Sequence, residues 1–234
     1  MAPHGGCRSA ELIPRAVRPV VMPDDAKMHR RPCDCTVSIV TGMADGRAAV
    51  VVPGLRYSTD APLLMYAGLA VERRGGLVRR IGWTVPQFGD GDEERAWVAA
   101  RAGEAVDAVT AATGVVAPVV IGKSLGSLAA PVAADRGLPA VWLTPVLSDA
   151  PTVAALRRAA SPCLLVGWTA DKLWDGRIAR SVTPHVLEIV GADHGMLVPG
   201  CLSGSAAVLG QVITAVEDFL DHQVWPRRND EGHG

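Results

Sequence analysis

The chain has 234 residues, 49% hydrophobic and 20% charged, with a formal net charge of −1. That length suits one domain with a full core, and the even charge gives no electrostatic basis for binding nucleic acid or an acidic membrane surface. No apolar run approaches the roughly 20 residues that cross a bilayer.

Residues 1–32 mix Pro, Gly, Arg and Asp without apolar periodicity and read as a disordered lead-in. Pro14, Pro19 and Pro23 interrupt any signal-peptide core there. From 33 to 222 short apolar runs alternate with helical patterns and no internal repeat. This predicts a single α/β domain, a mainly parallel central sheet flanked by helices on both faces. Residues 36–40 and 48–52, around a turn-like 43–46, open the sheet as a strand pair. Residues 63–73 read as helix, 78–83 as strand, and 93–112 as a helix with Trp97, Val98, Ala102, Val106 and Val109 at helical spacing. A strand at 119–121 runs into Gly122-Lys123-Ser124-Leu125-Gly126, and small helix formers follow at 128–134. Further strands are expected at 140–143, 163–167 and 186–190, with a short helix at 152–160. A terminal helix at 205–222 carries Val208, Val212, Val216, Phe219 and Leu220 on one face. Residues 223–234 are a polar tail expected to fray.

Five cysteines, Cys7, Cys33, Cys35, Cys163 and Cys201, form no C-x-x-C pair. An odd, scattered set reads as a reduced cytoplasmic protein without a disulfide framework. Cys33-Asp34-Cys35 has no partner pair of Cys or His at zinc-site spacing, so no metal is expected.

The pentapeptide around Ser124 carries the chemistry. A serine at the apex of a strand–turn–helix takes a strained backbone, and the residues two places either side must be nearly free of side chain. Gly-Lys-Ser also ends a P-loop, but that motif needs a second glycine at the position of Ala117. Pro118, Val119, Val120 and Ile121 make a strand there, with no loop of amides to wrap phosphates.

The pentapeptide thus resembles the nucleophile elbow of the α/β-hydrolase superfamily. In that fold the nucleophile, acid and histidine arrive in this order, each after a strand. The resemblance implies Ser124 as nucleophile and His194, in the glycine-flanked loop 191–195, as its base. His4, His29 and His233 lie in the expected disordered ends, His185 opens a strand and His222 closes a helix. Asp171, four residues after the 163–167 strand, resembles the family's acid. Asp149, after the preceding strand, and Asp175 remain rivals; Asp175 also fits an N-cap. Asp193 is expected to tie down its own loop.

The resemblance further implies an oxyanion hole from the backbone amides of Leu125 and Leu55. Many relatives carry His-Gly where this chain has Pro53-Gly54. The likeness spans roughly residues 36–220 and is nearest to small, cap-less members, dienelactone-hydrolase-like and esterase-like. Residues 144–162 leave no room for a lid domain, so an open cleft is expected. Tyr57 and Trp174 are candidate substrate-lining residues, with Trp168 nearby. Arg56 is a solvated arginine or a carboxylate-attracting one, and Lys123 is expected to project away from the nucleophile. The expected function is a cofactor-independent serine hydrolase acting on a small-molecule carboxylic ester or thioester. Acyl transfer, cofactor-free peroxidation, or a non-catalytic interaction role on the same scaffold stay open.

Overall fold

The computed structural model describes residues 46–226. The expected lead-in at 1–32 and strand at 36–40 lie outside them. Six strands form one wholly parallel sheet among the described residues: β1 Ala48–Val52, β2 Leu77–Arg80, β3 Val119–Lys123, β4 Ala140–Leu143, β5 Cys163–Trp168 and β6 Val186–Ile189, in the spatial order β2-β1-β3-β4-β5-β6. The helices are α1 Pro62–Glu72, α2 Gly91–Thr113, α3 Ala130–Asp135, α4 Ala150–Arg158, α5 Gly176–Val182 and α6 Leu202–Phe219, which ends in a π turn at Leu220–Val224.

The inner strands β1, β4 and β5 read as unbroken apolar runs because both of their faces are covered, as buried parallel strands require, whereas the edge strands β2 and β6 carry Arg79, Arg80 and Glu188. Side chains alternate between two cores. Ala48, Val50 and Val52 of β1 join Val120, Ala140, Trp142 and Leu165 under α2, α3, α4 and α5. Ala49 and Val51 join Ile121, Val141, Leu143 and Val166 under α1 and α6. The period of two along each strand assigns every residue to one face.

Helix ends follow local chemistry. Asp90 caps α2, accepting from the amides of Asp92 and Glu93, and Gly114 closes the same helix with φ 72°. Arg74 holds α1 to α6 by pairing with Asp221 at 2.6 Å and Glu217 at 3.3 Å. No helix among the described residues is long and apolar enough to cross a membrane.

Some elements depart from expectation. β2 stops at Arg80, short of the expected 83, because its partner β1 leaves the sheet at Pro53 and the ladder ends with Ile81 N–H donating to the Val51 carbonyl. The segment after the serine begins as a 3-10 turn, Ser124–Ala129, before α3. Pro131 lacks an amide and is tolerated only in a first turn, so the α-helix starts beside it. Of the described cysteines, Cys163 is a buried free thiol, whereas Cys201 is disulfide-bonded. That departs from the fully reduced set expected.

One feature of the topology positions the site. From β1 the chain crosses through α1 to β2 on one side, then returns through α2 to β3 on β1's other side. The order of strands reverses between β1 and β3, and the crevice beyond their carboxyl ends is where open α/β sheets bind ligands. The loop after β1 and Ser124 after β3 both open into it.

Candidate active site

Ser124 has φ 50°, in the left-handed region that a side chain rarely adopts. The turn is tight enough to exclude side chains at both flanking glycines. A Cβ on Gly122 would lie 2.7 Å from the Trp142 ring and 2.8 Å from the Gly126 carbonyl oxygen. A Cβ on Gly126 would lie 2.6 Å from the Val52 carbonyl oxygen. Ser127 braces the turn from below, its hydroxyl donating to the Ser124 carbonyl at 2.7 Å and accepting from the Val146 amide at 3.0 Å. The sequence marks Ser127 only as a second serine in an otherwise small and apolar turn.

Three side chains from the ends of β3, β5 and β6 form one hydrogen-bonded chain. His194 Nε2 lies 2.9 Å from Ser124 Oγ, and His194 Nδ1 lies 2.6 Å from Asp171 Oδ2. With the proton on Nδ1 donated to Asp171, Nε2 accepts from the serine hydroxyl. The Asp171 side chain is 2% exposed and that of His194 is 39% exposed, so the acid is sealed while the imidazole is open to solvent. Burial alone would raise the Asp171 pKa. The hydrogen bonds from His194 and the Leu173 amide, with the charges of His194 and Lys123, outweigh burial and hold it below the ordinary value. The two loops are stitched together: Ala170 N–H donates to the Ala192 carbonyl, and Thr169 Oγ1 accepts from the Gly191 amide at 2.8 Å. Asp193 secures the base loop by accepting from the amides of Gly195 and Leu197.

The rival carboxylates are engaged elsewhere. Asp149 caps α4 through the Thr152 amide and pairs with Arg95 at 2.6 Å. Asp175 caps α5 through the amides of Arg177 and Ile178.

The loop after β1 lies beside the nucleophile. A Cβ added at Gly54 would itself be in van der Waals contact with the Ser124 Cβ, at 3.7 Å. Leu55 follows at once and is exposed. Leu125 sits at the second residue of the 3-10 turn, where an amide has no acceptor within the helix.

Tyr57 and Trp174 are not brought into the hydrogen-bonded chain. The Tyr57 hydroxyl accepts from the Leu63 amide at 2.9 Å at the start of α1. Trp174 donates from Nε1 to Glu188 Oε2 at 2.7 Å, and its ring lies flush on β5, within 2.0 Å of where a Cβ on Gly167 would be. It also lines a cavity of about 550 Å³ with Leu147, Val153, Arg157, Lys172 and Ile178. Trp168 is fully buried in the core beneath α6. A second hollow of about 460 Å³ runs along the loop from Pro53 to Ala61 and includes Arg56 and Trp83.

Lys123 is buried rather than exposed to solvent. It is 2% exposed, with Nζ 3.4 Å from the His194 carbonyl oxygen and 4.6 Å above the centre of the Tyr57 ring. The strand alternation carried the signal: Lys123 shares a face with Val119 and Ile121, both of them buried under α1 and α6.

No family model matches the sequence, and no curated protein is significantly similar to it. Solved structures are similar in fold. An α/β serine hydrolase without lid from Xanthomonas campestris shares 16% identity over 79% of this chain and 84% of its own, with a TM-score of 0.52. An α/β serine hydrolase homologue from Coxiella burnetii shares 14% identity over 74% and 86%, with a TM-score of 0.53. A cold-adapted esterase from an Arctic intertidal metagenomic library shares 17% identity over 76% and 82%, with a TM-score of 0.52. The chain has the α/β-hydrolase fold, and only α4 intervenes between β4 and β5, where a lid would be inserted.

Proposed function

We propose that this protein is a serine hydrolase that cleaves a small-molecule carboxylic ester or thioester through an acyl-enzyme on Ser124. The observation that carries the reading is the chain Ser124–His194–Asp171, joined at 2.9 Å and 2.6 Å at the reversal point of the sheet. A serine hydroxyl is a weak nucleophile at neutral pH and needs a base, and the base needs an orienting acid.

In the first half-reaction Ser124 Oγ bonds to the acyl carbon while its proton passes to His194 Nε2. Asp171 keeps the imidazole in the required tautomer and stabilises the imidazolium. The amides of Leu125 and Leu55 donate to the developing oxyanion, an effect worth roughly 3 kcal/mol for one donor. The carbon–leaving-group bond then breaks, and Nε2 returns the proton to the departing alcohol or thiol. Water repeats the cycle on the acyl-enzyme, its proton taken by Nε2 and passed to Ser124 as the serine leaves.

The half-exposed base and the absence of an inserted lid favour small or accessible esters over long enclosed acyl chains. Leu55 and Leu197, 56% and 53% exposed, follow Gly54 and the base in sequence, and supply apolar surface for the acyl group. The test is a fluorophosphonate probe followed by peptide mass spectrometry. A single adduct on Ser124 is expected; a folded protein that takes up no probe there contradicts the reading.

A further inference from the structure

Lys123 precedes the proposed nucleophile and is the last residue of β3, yet nothing in the hydrolytic cycle uses it. Its burial is costly: an ammonium removed from water loses several kcal/mol of solvation unless it is well paired. The pairing here is thin. One carbonyl accepts at a long 3.4 Å, one aromatic face lies 4.6 Å away, and Asp171, the nearby carboxylate, is already hydrogen-bonded to His194 and the Leu173 amide. A methionine or leucine would fill the same space without that cost. A cation kept at a net loss of stability points to a role in function.

Its contacts name that role. The carbonyl belongs to His194, the proposed base. The ring belongs to Tyr57, which follows Gly54 in the loop beside Ser124 and whose hydroxyl anchors α1. We infer that Lys123 is a positioning residue, its ammonium binding the base loop and the oxyanion loop to the strand that carries the nucleophile. The inference rests on the proposed hydrolytic function. The hydrogen bond to the His194 carbonyl fixes the backbone from which the imidazole projects, and the cation–π contact fixes the loop bearing Gly54 and Leu55. Displacement of either by a fraction of an ångström misaligns groups whose geometry sets the rate.

The groups facing the ammonium are Asp171 from the acid loop, Tyr57 from the loop after β1 and His194 from the loop after β6. Burial lowers the Lys123 pKa to about 8, with Asp171 opposing the fall. Tyr57 ionises above its ordinary range because burial outweighs its hydrogen bond from Leu63. Lys123 therefore loses its charge first as pH rises, and both contacts weaken with it.

The experiment follows kcat and KM for p-nitrophenyl acetate across pH, with Ser124→Ala subtracted as background, in the wild type and in Lys123→Met. Wild-type kcat is expected to fall above about pH 8. In Lys123→Met, kcat at neutral pH drops about tenfold with KM unchanged, the alkaline limb disappears, and the melting temperature holds or rises. A merely structural lysine would lower stability and leave the limb in place, so that pattern overturns the inference, as does unchanged kcat. The wild-type profile needs no variant: a plateau running level through pH 10 overturns it even where Lys123→Met does not fold. A wild type that neither turns over the ester nor takes a fluorophosphonate adduct fails the hydrolase reading itself. Activity with a level alkaline plateau fails only the role given to Lys123.

Discussion

The α-carbon of Gly126 faces the carbonyl oxygen of Val52 so closely that one added methyl would stand 2.6 Å from it, and 2.8 Å from the Pro53 oxygen. Both obstacles are backbone, so neither can swing aside. The elbow and the loop after β1 are therefore wedged together by a missing side chain. Gly126→Ala forces them apart. It is expected to lower stability by about 1–3 kcal/mol in urea titration, and to lower kcat further than that loss of folded protein explains. Full activity with unchanged stability would mean that the two loops are not in contact.

Asp171 and Asp149 make separable predictions. Asp171→Asn keeps the shape of the site but imposes the wrong imidazole tautomer, and kcat falls by about 10⁴. Asp149→Ala removes the cap of α4 and one of the two carboxylate partners of Arg95, leaving Asp92. It costs about 1 kcal/mol of stability and leaves kcat unchanged. Steady-state kinetics beside urea denaturation distinguishes them, and an exchange of the two phenotypes would reassign the acid.

Lys123 makes stability depend on pH with a definite sign. Burial depresses its folded-state pKa from the usual 10.5 to about 8. Between those values the unfolded chain holds a proton that the native protein has lost. The unfolded state binds more protons, so this group makes stability rise with pH across the window. Lys123→Met has no such group. Its melting-temperature advantage over the wild type is expected to be largest below about pH 8 and to shrink toward pH 10.5. An advantage that grows with pH would contradict the assignment.

Trp174 is held by Glu188 and lies against Gly167. Trp174→Phe keeps most of the packing but leaves the carboxylate without its indole donor, with Arg180 still 3.3 Å away. A loss of about 1–3 kcal/mol is expected, with KM for small esters unchanged. A rise in KM without loss of stability would instead support the substrate-lining role expected from the sequence.

How far the sequence could be read depended on which force set each feature. β1 and β4 were legible to the residue because buried parallel strands are unbroken apolar runs bounded by turn formers. The Ser124 motif was legible because a tight elbow leaves a chemical trace in its two glycines. β2 was overextended because a strand's end depends on its neighbour, and nothing in residues 81–83 reveals that β1 leaves the sheet at Pro53. The 3-10 turn before α3 followed from Pro131, a signal present in the sequence but outweighed by the run of small helix formers. The rivalry among Asp149, Asp171 and Asp175 needed hydrogen-bond partners, which are tertiary. The burial of Lys123 was written in the strand alternation, which sets it on the face of Val119 and Ile121, but its partners, the His194 carbonyl and the Tyr57 ring, are tertiary.

The central claim, that Ser124 is the nucleophile of an ester hydrolase, is tested most directly by steady-state turnover of p-nitrophenyl acetate in the wild type and in Ser124→Ala, with folding of both checked by circular dichroism. Multiple turnovers in the wild type, and a folded Ser124→Ala reduced to the rate of the uncatalysed reaction, are predicted. A folded Ser124→Ala that turns over as fast as the wild type would contradict the claim.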